Sequence, residues 1–258
     1  MNILICNDDG VYASGIKILR DYLKEIANVT VVAPLEERST TGHTLTLDHP
    51  LRIVEIEENV FGCSGYPADC SLMGITEIMK SEKPDLVVSG INRGANLGQD
   101  IFYSGTVAAA REAAFRDIKA IGVSSIIGFG SRVNSNEEHY ETAAEFIREL
   151  ILSKIYEKLP TRAMLNVNVP NLPKNNIKGI KASEIGFRYY SEEILKREDF
   201  RKREYYWIGG VYEGYDDIPY SDCNVVQEDC ISVTPLQLVG TMNRKLSEWQ
   251  KDLDLIKF

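Results

Sequence analysis

Histidine is scarce in this chain, with three in 258 residues; its five cysteines form no CxxC pair, and no apolar run is long enough to cross a bilayer. Each scarcity excludes a class. Without HExxH or a Cys/His cluster, zinc-hydrolase chemistry has no ligand set, and without GxSxG there is no serine nucleophile elbow. No GxGxxG follows the first apolar run and no GxxxxGK[ST] occurs, so the usual dinucleotide and triphosphate frameworks are missing. Cysteines 6, 63, 70, 223 and 230 are odd in number and mostly sit among apolar neighbours, which reads as reduced thiols used as small hydrophobes. The stretch Met1 to Asp9 has no basic region ahead of its short apolar run, so the expectation is a cytoplasmic protein with neither signal peptide nor membrane span. Lys and Arg total 29 against 38 Asp and Glu, a net charge of -9, which leaves no basic footprint for long nucleic acid or an anionic membrane.

What is present is an alternation of short apolar runs with amphipathic stretches, the pattern of an α/β protein with a doubly wound, mostly parallel sheet. Strands are expected at Ile3 to Cys6, Val29 to Ala33, Leu51 to Ile56, Val60 to Cys63, Asp85 to Ser89, Ala120 to Ser124 and Leu165 to Val169. Helices are expected through Ile16, Leu19, Leu23 and Ile26, from Pro67 through Leu72, Ile75 and Ile78, over Thr106 to Phe115, and over Glu141 to Ile151. Beyond about Ile177 tyrosines alternate with charged residues, as in hairpin strands projecting from a core. Such strands serve either as an interface or as a locally packed two-layer sheet. A last strand at Ile231 to Thr234 and an amphipathic helix near Leu246 to Ile256 complete the reading. The chain is thus divided into a catalytic core, 1–175, and an extension, 176–258, with a β-hairpin arm, the last strand and a terminal helix.

Ligands of open α/β sheets bind beyond the carboxyl ends of the strands. Three loops qualify: Asn7-Asp8-Asp9-Gly10 after the first strand, Arg38 to Gly42 after the second, and Gly90 to Asn96 after the Asp85–Ser89 strand. Adjacent carboxylates repel unless a cation relieves them, so Asp8 and Asp9 point to a metal. Ser39 and Asn92 are placed to complete an all-oxygen shell, which suits Mg²⁺ or Mn²⁺. The plainer alternative is an Asx-rich turn that ends a strand and caps a helix. A dication with two carboxylates is formally neutral, so a phosphate needs further donors. Ser104, Gly105 and Thr106 open the alanine-rich helix, where free N–H groups and the helix dipole favour an anion. An ordinary N-cap is the alternative there. His43 lies in the second loop, whose rim is that of the site, whereas His49 and His139 read as surface or turn residues.

These residues sit in longer motifs: NDDG, ERSTTGHTLT at 37–46, YPADC at 66–70, SGINRGANLGQDIFYSGTVAAAREAA at 89–114, LNVNVP at 165–170 and SVTPL at 232–236. In them the chain resembles the SurE survival-protein family of metal-dependent 5'/3'-nucleotidases. The resemblance implies a Rossmann-like core, a C-terminal hairpin extension with an exchanged C-terminal element, and a homodimer or homotetramer. It implies one divalent metal ion per subunit, held by Asp8, Asp9, Ser39 and Asn92, and a phosphate pocket of Asn96, Ser104, Gly105 and Thr106. Asp8 and Asp9 would also be the catalytic residues, with Asp9 orienting or deprotonating a water. The substrate would be a nucleoside monophosphate, with polyphosphate as a side substrate. The chain departs from the family pattern at Thr40 and Asp229, where glycine is common, and at Tyr66, where the family often has threonine.

Two rival readings remain. A haloacid-dehalogenase-type phosphatase needs a nucleophilic aspartate in a DxD arrangement, and Asn7 occupies that place. A non-catalytic nucleotide-binding oligomer would use the same cleft without turnover.

Overall fold

Ile3 and Ile5 face one side of a sheet and Leu4 and Cys6 the other, because side chains alternate along a strand and this strand is covered on both faces. The computed structural model describes residues 1–127 and 137–239. Its elements, in order, are β1 (Asn2–Cys6), α1 (Ser14–Leu23), β2 (Asn28–Pro34), β3 (Ile53–Glu57), β4 (Val60–Cys63), α2 (Pro67–Met73), β5 (Leu86–Arg93), α3 (Gly105–Phe115), β6 (Lys119–Ile126), α4 (Tyr140–Leu152) and β7 (Ala163–Pro170). There follow β8 (Gly179–Ala182), β9 (Arg188–Tyr190), β10 (Ile194–Glu198), β11 (Glu204–Ile208), β12 (Tyr212–Tyr215), α5 (Asp222–Gln227) and β13 (Cys230–Gln237).

Among the described residues the main sheet has nine strands in the order β3-β4-β2-β1-β5-β6-β7-β13-β8. The run from β4 to β7 is parallel, while β3 joins β4, and β13 joins β7, antiparallel. The α/β architecture expected from the apolar alternation is therefore present. Ile16, Leu19 and Leu23 of α1 and Ile147 and Ile151 of α4 cover one face. Cys70 of α2 and Val107, Ala109, Ala110 and Ala113 of α3 cover the other, where alanines let the helix lie close to the strands. All five cysteines are buried and unpaired. No helix among the described residues is long and apolar enough to cross a membrane.

Three boundaries differ from the periodic pattern. Helix α1 ends at Leu23, and Ile26 packs from the following turn, its N–H bonded back to Leu23. Helix α2 passes into a wider π-type turn, Gly74–Ile78, that carries Ile75 and Ile78. Strand β5 does not stop at Ser89. It pairs with β1 up to Ser89, breaks register at Gly90 and Ile91, and resumes against β6 through Asn92 and Arg93. The break needs glycine: Gly90 has φ +141°, and a Cβ there would stand 2.3 Å from the Val123 carbonyl oxygen. Asn92 and Arg93 consequently ride on a strand end, where the sequence pattern suggested a loop.

After β7 the chain returns to the sheet, adding β8 at its edge through parallel pairing with β13. Strands β9 and β12 pair with each other, and β10 and β11 form a separate antiparallel hairpin. Every residue of β10 and β11 is exposed, so no described residue covers either face of the hairpin, which is an arm and not a locally packed second layer. The helix expected near Leu246 to Ile256 lies outside the described residues.

Candidate active site

Strand β1 sits between β2 and β5, and the connections leave it in opposite directions, which opens a crevice at the carboxyl ends of β1 and β5. The turn after β1 is closed by Asn7, whose Nδ2 donates to the Gly10 carbonyl at 2.9 Å and whose Oδ1 accepts from Gly10 N at 3.2 Å. An Asx turn therefore does end the strand, as the plainer reading held, but Asn7 alone makes it. Asp8 and Asp9 find their partners on other elements. Asp8, 4% exposed, accepts a hydrogen bond at Oδ1 from the Thr106 hydroxyl at the start of α3. Its carbonyl accepts from Arg38 N at 2.8 Å, which ties the second loop to the first. Asp9 Oδ2 accepts from Arg93 N at 3.0 Å, at the end of β5.

Burial pushes the Asp8 carboxyl up, against the pull of the Thr106 bonds. Asp9 is pushed up to about 7, first by burial and next by the Asp8 charge beside it; Glu37 adds to the repulsion on both. Two crowded carboxylates whose charged forms are disfavoured are what a divalent cation would relieve. Ser39 and Asn92 supply neutral oxygens at the same rim. Among the described residues no three His, Cys, Asp or Glu side chains converge as a metal group, so hydroxyl and amide oxygens would have to complete the shell. The donor set fits a hard oxygen-seeking cation.

A cavity of about 910 Å³ opens on this rim. Asp8, Ser39, Asn92, Asn96 and Ser104 line it together. Asp9, Gly105 and Thr106 do not form its lining. Ser104 is the N-cap of α3, its Oγ accepting from Val107 N at 3.1 Å. Thr106 is fully buried, and its hydroxyl and N–H both serve Asp8. Gly105 lets α3 approach: a Cβ on it would stand 2.7 Å from Asp8 Cβ. Asn92 Nδ2 donates to the Gly94 carbonyl at 2.8 Å, and the Ser39 hydroxyl donates to Glu37 at 2.6 Å. His43 does not line the cavity; its Nε2 meets Glu112 at 3.0 Å and its ring stacks on Phe115. Thr40 and Asp229 both adopt the left-handed φ of 59°, a conformation that favours glycine.

Asn96 is gripped by residues the motif reading did not single out. Asn168 Oδ1 accepts from Asn96 N, and Asn166 and Asn168 both donate to the Asn96 carbonyl, each at 2.9 Å. Asn96 Nδ2 donates to Ser124 Oγ at 2.8 Å. A signal was available: two asparagines two residues apart on a buried apolar strand share a face and need polar partners there. The extension is joined to the same rim by Asp222, which accepts from Gly98 N and Gly186 N at 2.9 Å each.

The family model described as Survival protein SurE matches residues 3–192. The chain belongs to the SurE family. Among SurE relatives, the 5'-nucleotidase SurE of Vibrio cholerae serotype O1 (strain ATCC 39315 / El Tor Inaba N16961) is 40% identical over 255 residues, covering 98% of each chain. The 5'-nucleotidase SurE of Geobacter sulfurreducens (strain ATCC 51573 / DSM 12127 / PCA) is 46% identical over 247 residues, 96% of this chain and 92% of its own. The crystal structure of the SurE protein from Aquifex aeolicus superposes with a TM-score of 0.84 at 38% identity, covering 98% of this chain and all of that one. Against that background the place of Asn7 also matters: its amide is spent on the Gly10 turn, where a haloacid-dehalogenase-type enzyme would need a free nucleophilic carboxylate.

Proposed function

We propose that this SurE protein hydrolyses nucleoside 5'- and 3'-monophosphates to nucleoside and phosphate. One observation carries the reading: a single cavity at the switch point of the sheet is lined by Asp8, Ser39, Asn92, Asn96 and Ser104, in a chain whose relatives bear the name 5'-nucleotidase. Asp8, Asp9, Ser39 and Asn92 would hold one divalent cation per subunit, Mg²⁺ or Mn²⁺. When bound, it supplies Lewis-acid charge for the phosphoryl oxygens and lowers the pKa of water. Asn96 and the Ser104 hydroxyl, both at the cavity wall, orient the phosphate, with the N-terminal end of α3 favouring its charge; resemblance adds the backbone N–H of Gly105, which lies behind that wall. Resemblance also implies Thr106 for the phosphate pocket, but its bonds to Asp8 support a role in holding that carboxylate instead. Asp9 orients the attacking water or takes its proton.

Residues 1–175 form the catalytic core in this reading, and 176–258 an extension used in assembly. The arm β10–β11, with Phe200 88% and Ile208 90% exposed, supports a homodimer or homotetramer. Five unpaired buried cysteines support a cytoplasmic setting.

The test is phosphate release from a panel of nucleoside 5'- and 3'-monophosphates and a short polyphosphate, in Mg²⁺, Mn²⁺ or EDTA, by wild type and folded Asp8→Asn and Asp9→Asn proteins. Metal-dependent release from the nucleotides that both variants lose is expected. Nucleotide binding without release under any metal would favour the non-catalytic alternative, and undiminished release by the variants would move the site elsewhere.

A further inference from the structure

Another part of the cavity wall is built where the turn Gly98–Phe102 meets the extension, and it includes Asp100, Tyr103, Arg188 and Tyr190. Asp100 is fixed from the extension side. Arg188 Nη1 donates to its Oδ2 at 2.6 Å, and the Tyr190 hydroxyl donates to the same oxygen. Arg188 is itself immobilised: its guanidinium lies 5.4 Å from the Tyr190 ring centre and 4.5 Å from that of Tyr212. Gln99 clamps its backbone, donating to the Arg188 carbonyl at 2.7 Å and accepting from Arg188 N at 2.8 Å.

All of this loads one oxygen of Asp100. The other, Oδ1, accepts no hydrogen bond from any described residue, and the side chain is 19% exposed. A carboxylate can accept about four hydrogen bonds, so a held carboxylate with one oxygen unused at a cavity wall is an acceptor waiting for donors. Its charge is offset by Arg188, so this end of the cavity has no net attraction for phosphate, which is left to the Asn96 and Ser104 end. Neutral hydroxyls are the donors that fit. Asp100, Tyr103 and Ser104 line the same cavity, so a sugar attached to a phosphate at Ser104 shares it with the Asp100 carboxylate, and the exposed ring of Tyr103 offers a stacking face for a base.

We propose that Asp100, positioned by Arg188 and Tyr190, is the sugar-hydroxyl acceptor of a nucleoside subsite and sets a preference for ribose over dideoxyribose substrates. The proposal rests on the nucleotidase reading. The two are separated by comparing AMP, 2',3'-dideoxy-AMP and p-nitrophenyl phosphate, which has no sugar. Wild type is expected to favour AMP over its dideoxy analogue by about tenfold or more in kcat/KM, as for a hydrogen bond to a charged group. In Asp100→Asn, checked for folding by circular dichroism, that ratio should fall towards one. Should the amide fail to fold beside Arg188, Asp100→Glu keeps the charge while moving the acceptor by one methylene, and the same fall is expected. A wild-type ratio near one, or an unchanged ratio in the folded variant, overturns the proposal while leaving the nucleotidase reading intact. No hydrolysis of any of the three substrates overturns that reading itself.

Discussion

The Thr106 hydroxyl donates to Asp8 Oδ1 across 98 positions of sequence, so the first turn of α3 fixes the carboxylate at the end of β1. Thr106 is completely buried, and what it touches is the proposed metal ligand rather than the cavity.

Thr106→Val keeps the branched shape and removes that donor. Loss of a partner that orients a metal ligand costs about 10- to 100-fold in metal affinity or activity, and that range is expected here. Calorimetric titration with Mn²⁺ and phosphate release from AMP would measure it, and Thr106→Ser should restore most of both. Equal affinity in the valine and serine variants would show that the hydroxyl does not act on Asp8.

In metal-free protein the raised Asp9 carboxyl makes stability depend on pH. The folded state holds the Asp9 proton up to about 7, whereas an unfolded chain releases it near the ordinary value of 3.8. Between those values the unfolded state binds fewer protons, so this group's contribution is fully present below the unfolded value and is lost as pH rises through about 7. In EDTA the melting temperature should therefore fall from pH 5 to pH 8. Asp9→Asn should flatten the fall, and Mg²⁺ or Mn²⁺ should oppose it at pH 8 by binding the folded state. A metal-free protein that gains stability over this interval, with Asp9→Asn following the same curve, would contradict the electrostatic description of the site.

Asn168 is fully buried and grips the Asn96 backbone on both its donor and its acceptor side. Asn168→Ala leaves Asn96 N without that partner, a cost of about 1–3 kcal/mol for an unsatisfied buried group. Urea unfolding should register it, together with a rise in KM for AMP as Asn96 loses its place at the cavity wall. A variant as stable as wild type, with unaltered KM, would show that the rest of the loop suffices to hold Asn96.

Much of this was legible in the chain itself. β1, β2, β4, β6 and β7 fall within two residues of their apolar runs, because a strand buried on both faces needs continuous apolar residues and shows them. That Asp8, Ser39 and Asn92 share one rim followed from the parallel order, which sends every strand's carboxyl end the same way. β5 was harder to bound. Its extension through Asn92 and Arg93 depends on Gly90 accommodating a break in register against Val123, and polar residues beyond such a break look like a loop.

Periodicity and turn chemistry are local, so the sequence by itself determined the alternating α/β pattern and offered, as alternatives, an Asx turn after the first strand and an N-cap at the start of α3. Which donor meets which acceptor is not local. Thr106 with Asp8, Asn168 with Asn96, and Arg188 with Asp100, 88 positions apart, are joined only when helices close over the sheet and the extension docks on its rim. Tertiary structure therefore decided that Thr106 serves Asp8, that β8 completes the sheet edge while β10–β11 stands out as an arm, and that Asp100 joins the cavity wall held by Arg188 and Tyr190. The reason is that a buried polar side chain takes whichever partner the packing brings within hydrogen-bonding distance, and sequence spacing carries no record of that distance.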